Sequence, residues 1–197
     1  MPLGPGALGA GCIPYGESMP IPLPLSTERL TLRTYLPGDI QALLAYYSDP
    51  EVARYLLDDP WTQEYAEQQM PRQLTRTGLD SEARSLAVVV EHEGAVIGDL
   101  AIWLNDDTGQ KAEIGWVFSP QASGKGFAVE AAAALIEAAF THHDLHRIEA
   151  QMDARNDASA RLCERLGMQR EAHLRENWWM KGEWTSTLVY GVLASER

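Results

Sequence analysis

The chain has little cysteine, no long apolar run and no excess of positive charge. Its two cysteines sit in unlike contexts, Cys12 in a glycine-rich stretch and Cys163 in a helical pattern, so no disulfide framework is implied. No run reaches about 18 apolar residues, so no transmembrane helix is expected. The N-terminus lacks a basic segment followed by an apolar core; no secretory signal is expected, and a cytoplasmic address follows by default. Sixteen Lys and Arg against 28 Asp and Glu give a net charge of −12. The basic footprint of a nucleic-acid binder is missing, so neither nucleic acid nor membrane is expected as a partner. The acidic balance suits a cationic partner, or solubility alone.

What is present is a globular composition with room for one core in 197 residues. Residues 1–24 are rich in Pro and Gly without periodicity and read as a flexible tail. A single domain is expected over 25–197. Arg29–Arg33 alternates as a strand. Pro37-Gly38-Asp39 opens a helix with Ile40, Leu43 and Leu44 on one face, and Asp49-Pro50 breaks it. A second helix starts after Thr62, a plausible N-cap. Strands are expected over Leu86–Glu91, Ala95–Leu104 and Ala112–Phe118, with His92-Glu93-Gly94 as a hairpin turn. A helix follows over Val129–His142, then a strand over Arg147–Asp153. The next helix, Asp157–Leu166, ends at Gly167, where a left-handed residue is wanted. Strands over Met168–Leu174 and Thr185–Leu193 close the chain, joined by an aromatic loop with Trp178, Trp179 and Trp184. This order is α+β rather than doubly wound.

Between the Ala112–Phe118 strand and the alanine-rich helix lies Gln121-Ala-Ser123-Gly124-Lys125-Gly126-Phe127-Ala128. Glycines before a helix let backbone amides and the positive helix end face an anion, although glycines also make ordinary turns. The G-x-x-x-x-G-K-[ST] loop is absent. So is the third glycine of a dinucleotide fingerprint, since Val129 stands in its place. Both nucleotide-fold readings fall away.

Several segments together resemble the acyl-CoA-dependent N-acyltransferase (GNAT) superfamily, in the branch of ribosomal-protein N-terminal acetyltransferases (RimJ/RimL type). Gln121, Gly124 and Gly126 fill the Q/R-x-x-G-x-G/A loop. Glu113-Ile114-Gly115-Trp116 is similar to the E-I-G-Y/W strand, and Leu145 to Ala150 to the following helix-to-strand junction. Asn156 to Ser159 and Leu166-Gly167-Met168 resemble N-x-x-S…L-G-F. Asp49 to Val52, the Arg29–Arg33 strand, Gly182-Glu183-Trp184 and Tyr190 also fit. The likeness covers 25–193 in order, with one departure at Ser186, where relatives often carry Asp.

The resemblance implies a GNAT fold: a central mixed, mostly antiparallel sheet of about seven strands flanked by about four helices. It implies acetyl-CoA as co-substrate, no metal, and an amine acceptor, with a homodimer as a further partner the reading allows. The pyrophosphate would meet amides from Ser123 through Gly124, Lys125, Gly126 and Phe127 to Ala128. Lys125 adds charge or is simply solvated, and Gln121 ties down the loop. The pantetheine arm would follow Trp116, Val117 and Phe118. Glu113 is the leading general base, with Glu149 second; otherwise each is a structural carboxylate. Ser159 would donate to the leaving thiolate, with Tyr190 the alternative, against capping for the one and packing for the other. Asn156 holds the cofactor arm, caps the helix, or both. The Trp178, Trp179 and Trp184 group is a contact surface or a cover for the sheet edge.

A lysine-like amine of pKa about 10.4 costs about 4.6 kcal/mol to deprotonate at pH 7, whereas an α-amine near 7.8 costs about 1. The preferred acceptor is therefore a peptide N-terminus. A polyamine or aminoglycoside-like amine, and a non-catalytic acyl-CoA-binding module, are the alternatives.

Overall fold

The computed structural model describes residues 19–197. Nine strands run in the order β1-β2-β4-β5-β6-β7-β9-β8, with β3 also paired to β4. They are β1 (Leu25–Ser26), β2 (Thr31–Thr34), β3 (Thr77–Gly78), β4 (Ser85–His92), β5 (Ala95–Leu104), β6 (Lys111–Phe118), β7 (Arg147–Asp153), β8 (Gln169–Met180) and β9 (Glu183–Leu193). The α-helices are α1 (Ile40–Tyr47), α2 (Pro50–Ala53), α3 (Gln63–Thr75), α4 (Phe127–His142) and α5 (Asp157–Arg165). All strand pairs are antiparallel except β6 with β7.

The excess over the expected seven strands and four helices has a simple cause. Strands β1 and β3 have two residues each, too few to show a period. Asp49-Pro50 does end α1, but Asp49 also caps a new turn, its Oδ1 accepting from the Glu51 amide at 2.9 Å. Pro50 then occupies the first helical position of α2, where its missing N–H costs nothing.

The expected tail over 1–24 is corrected at its C-terminal end. Residues 1–18 lie outside the described residues, but Ile21 is buried in the core and the Met19 amide donates to the His142 carbonyl at 3.0 Å. One isoleucine, with Leu23 packed beside it, is enough to hold this segment against the domain.

The sheet is covered on both faces. Leu86, Val88 and Val90 of β4 face one core with Leu100, Ile102, Ile114, Leu135, Ile136 and Ile148. Ala87 and Val89 face the other, with Tyr35, Leu43, Tyr46, Tyr47 and Trp61. Burial on both sides is why β4 reads as an unbroken apolar run rather than an alternation.

The aromatic loop is also corrected. Trp178 and Trp179 lie on β8 and Trp184 on β9, and the connection is only Lys181-Gly182, both at positive φ (51° and 84°). That pair of dihedral signs is the two-residue hairpin turn whose twist matches the flanking strands. Arg175-Glu176-Asn177, the start of the expected loop, is a bulge: pairing jumps from Leu174 to Trp178. The Glu176 amide donates to Ser186 Oγ at 2.9 Å, so the serine that departs from the family pattern supports this bulge.

Candidate active site

Strands β6 and β7 pair in parallel only from Lys111 with Arg147 to Glu113 with Glu149. Beyond that point β6 stays on β5 as far as Phe118, while β7 stays on β9 as far as Asp153. The two strands therefore part, and the facing backbone groups of Ile114–Phe118 lose their ladder partners. A cavity of about 570 Å³ opens there. It runs through the sheet from Asn156 and Ser159 on one side to Tyr47, Arg76, Asp99 and Trp103 on the other, with Glu113, Trp116 and Val117 in its wall.

Glu113 stands where the pairing ends. Burial, and then the charge of Glu149 across the ladder, push its carboxyl up to about 7. Glu149 is itself held by Arg147 at 3.1 Å, Lys111 at 3.7 Å and Asn105 Nδ2 at 2.9 Å. Two carboxylates at one register position therefore differ in role: Glu149 has its countercharges and Glu113 faces the cavity.

Asn156 is the N-cap of α5, its Oδ1 accepting from the Ser159 amide at 3.1 Å. That cap fixes the first turn and points Ser159 at β6, where Trp116 Nε1 donates to Ser159 Oγ at 3.2 Å. Asn156, Ser159, Trp116 and Glu113 all line the cavity. Tyr190 does not. Its ring is buried, and its hydroxyl reaches Glu164 Oε1 at 3.4 Å, behind α5. The alternative donor expected at Tyr190 has no support in this geometry: Tyr190 pairs with Ala150 of β7 and its side chain packs in the core.

At the other end of β6 the glycine loop behaves as its composition requires. Gly124 and Gly126 take φ of 76° and 81°, a region in which a Cβ is costly. A Cβ on Gly124 would meet nothing within 4 Å. Backbone form and outside access, rather than packing, thus call for glycine there. The first backbone bond of α4 runs from the Glu130 amide to the Gly126 carbonyl at 3.1 Å; earlier amides of a helix have no acceptor inside it. Gln121, Ser123 and Lys125 are exposed beside them, whereas Phe127 is buried and can offer only its backbone. Ala128 is half-buried. Val117 lines the cavity, and Phe118 packs toward the core instead. Arg29, which the sequence shows only as part of a strand, reaches this loop. Its Nη1 donates to the Lys125 carbonyl at 3.0 Å, and it pairs with Glu130 at 2.6 Å.

The opposite end of the cavity was not foreseen. Asp99 of β5 is buried and accepts hydroxyl bonds from Tyr35 and Tyr46 at 2.8 Å each and from Tyr47 at 3.0 Å. Burial pushes its carboxyl up to about 6, and the three donors hold it from rising further. Asp99→Ala would leave three buried hydroxyls without an acceptor. Each such loss costs about 1–3 kcal/mol, so a fall of at least about 3 kcal/mol in unfolding free energy is expected in denaturant titration. An unchanged midpoint would contradict this account of the cluster.

Among the described residues, no group of three or more His, Cys, Asp or Glu side chains is placed to hold a metal, and no helix is long and apolar enough to cross a membrane.

A split parallel pair, a glycine loop at a helix start and a carboxylate at the fork together define a class. Residues 29–169 match the family described as acetyltransferase (GNAT) domain, and the chain belongs to that family of N-acetyltransferases. It is 34% identical over 172 residues to the uncharacterized N-acetyltransferase p20 of Bacillus licheniformis, covering 87% of this chain and 97% of that protein. It is 23% identical over 169 residues to a spermidine N(1)-acetyltransferase of Vibrio cholerae, covering 86% and 95%. The structure of a GNAT-family acetyltransferase from Bacillus anthracis superposes with a TM-score of 0.77 at 29% identity, over 87% of this chain and 99% of that one. RimL, a ribosomal L7/L12 α-N-protein acetyltransferase in complex with coenzyme A, shares the fold with a TM-score of 0.77 at 17% identity, over 91% and 100%.

Proposed function

We propose that the protein transfers an acetyl group from acetyl-CoA to the α-amine of a peptide or protein N-terminus. The observation that supports this reading is the fork between β6 and β7, whose cavity gathers Glu113, Trp116, Val117 and Ser159, with the glycine loop following the end of β6. The open space at Gly124 and the amides of the first turn of α4, which have no acceptor within the helix, fit a pyrophosphate. The Ser123 amide is taken by the Pro120 carbonyl at 3.1 Å, so amides from Gly124 to Ala128 would hold it, with Ser123 Oγ, Lys125 and Arg29 beside them. The freed backbone of Trp116–Phe118 would pair with the amides of the pantetheine arm. Bound there, acetyl-CoA supplies an activated acyl carbon and a leaving thiolate.

The remaining chemistry belongs to the chain. Glu113 accepts a proton from the amine, directly or through one water. A base that titrates near 7 matches an α-amine of about 7.8 far better than a lysine of about 10.4. Ser159, oriented by Trp116 and its own helix cap, donates to the departing sulfur. A thiolate is already a fair leaving group, so Ser159→Ala should lower kcat only about tenfold. The dissociation constant for coenzyme A should hardly change. A fall in affinity with kcat intact would make Ser159 a binding residue instead.

The test of acceptor class is direct. Acetyl-CoA is offered with a free-amine peptide containing lysine, the same peptide blocked at its N-terminus, and spermidine. Mass spectrometry then locates the acetyl group. Modification of the α-amine alone is expected. Modification of spermidine with neither peptide touched would replace this reading by the polyamine one, which the acidic net charge favours. Coenzyme A binding with no product from any amine would make the domain a binding module.

A further inference from the structure

Among the described residues, Arg76 is the one cation in the cavity wall. It follows the last turn of α3 and is anchored on two sides: Nε donates to Ser85 Oγ at 2.7 Å and Nη1 to Gln73 Oε1 at 3.2 Å. Its guanidinium carbon lies 5.8 Å from the centroid of the Trp103 ring. Among the described residues no carboxylate approaches it within the 4.0 Å of an ion pair, unlike Arg33, Arg147 and Arg155. The contrast extends to ionisation. Carboxylate partners push those three arginines above the usual range, whereas burial pulls Arg76 below it against the weaker upward pull of Tyr35 and Asp99. Its second terminal nitrogen makes no hydrogen bond to the described residues.

The position of Arg76 relative to the base follows from register. Ser85 pairs with Trp103, and Trp103 with Glu113. These three residues form a row across the sheet, and two strand spacings put Ser85 about 10 Å from Glu113. Arg76, Trp103 and Glu113 line one cavity of about 570 Å³, room for a small bifunctional group between the two ends of that row. The other carboxylates of the wall are already engaged. Asp99 is closed by three tyrosine hydroxyls, and Asp153 is paired to Arg155 at 2.7 Å. Asp99 keeps its charge and acts on Arg76 from beyond ion-pair range, but its oxygens are taken by the three tyrosines, so Arg76 is left with the unfilled donor at this end.

We propose that Arg76 binds a carboxylate carried by the acceptor close to its reactive amine, so that the enzyme selects N-termini with an acidic side chain in the first two residues. This rests on the peptide α-amine reading. Arg76 is a specificity residue here: it holds the acceptor over Trp103 with the amine toward Glu113, and takes no proton itself.

Peptides of one length, differing only in an acidic, neutral or basic residue at positions one and two, are compared by kcat/KM at saturating acetyl-CoA. Wild type should prefer the acidic peptide over the basic one by about tenfold or more, as a charge-assisted bond allows. Arg76→Gln should collapse that ratio, measured against the neutral peptide in the same variant, mainly through KM. Arg76→Lys should restore part of it. A structural role alone would depress all three peptides together and leave the ratio standing. Equal turnover of acidic and basic peptides by wild type would overturn this inference while sparing the peptide reading. Acetylation of free aspartate or glutamate but of no peptide would overturn the peptide reading and support the carboxylate site. Acetylation of spermidine alone would overturn both.

Discussion

Replacing Glu113 by glutamine lowers kcat/KM for acetyl transfer by about 10²–10⁴-fold near neutral pH, the range lost when a positioned base is removed. The same change alters the pH profile. Glu113 acts as a base only when ionised, and its pKa is about 7. Wild-type kcat/KM therefore climbs with pH up to about 7, with the titration of the amine itself superimposed. In Glu113→Gln the lower limb disappears and only the amine's limb is left. Acceptors whose amines have different pKa values separate the two, because the enzyme's limb does not move with the acceptor. An unchanged profile in the variant would remove Glu113 as the base.

A stability change accompanies this one, with its own sign. The folded-state pKa of Glu113 is raised above the value of about 4.3 for a free glutamate. Stability from this group is thus fully present below about pH 4 and is lost as pH rises through 7, because the ionised form is disfavoured where it is buried. Glu113→Gln should melt higher than wild type at pH 8, and the gap should close on acidification. The two effects together are the mark of a carboxylate held for chemistry at the expense of the fold.

The second large effect is expected at the glycine loop. Gly124→Glu forces a side chain onto a residue at φ 76° and places a negative charge beside the first-turn amides of α4. A left-handed non-glycine residue costs about 1–2 kcal/mol, which enters the affinity because the free exposed loop sheds the strain and must take it up again to bind. Loss of a charge-assisted bond costs about 1.5–3 kcal/mol more. Affinity for coenzyme A should fall by at least about a hundredfold in calorimetry. The fold should survive, since a Cβ at Gly124 meets nothing within 4 Å. Gly124→Ala carries the backbone cost without the charge and should lose about tenfold. Full affinity in Gly124→Glu would end the assignment of this loop to the pyrophosphate.

Much of this site was legible in the sequence because it is local. The glycine loop, the Asn156 cap and the Ile114 to Phe118 strand are each contiguous, and β5 and β7 fall on the residues that their patterns predict. What was illegible is what depends on pairing across long separations. The alternation of β6 lapses after Ile114 into the apolar run Trp116-Val117-Phe118, but that change does not by itself mark Glu113 as the last residue joined to β7. The cluster on Asp99 draws its tyrosines from 64, 53 and 52 residues away. Arg76 reads as an ordinary basic residue at a helix end; only the sheet register brings it into one row with Glu113. The polar triplet Arg175-Glu176-Asn177 imitates a turn because a bulge, like a turn, uses residues that need no partner. Ile21 was missed for the opposite reason, a single apolar residue in a segment with no period.

The account stands on the claim that the fork between β6 and β7 is the place of acetyl transfer. A crystal structure of the protein with coenzyme A and an N-terminal peptide tests it most directly. The account predicts the pyrophosphate on the amides of Gly124 to Ala128, the pantetheine arm along Trp116–Phe118, and the thiol between Ser159 and Glu113 with the peptide amine beside it. Coenzyme A bound elsewhere, or its thiol pointing away from the fork, would contradict it.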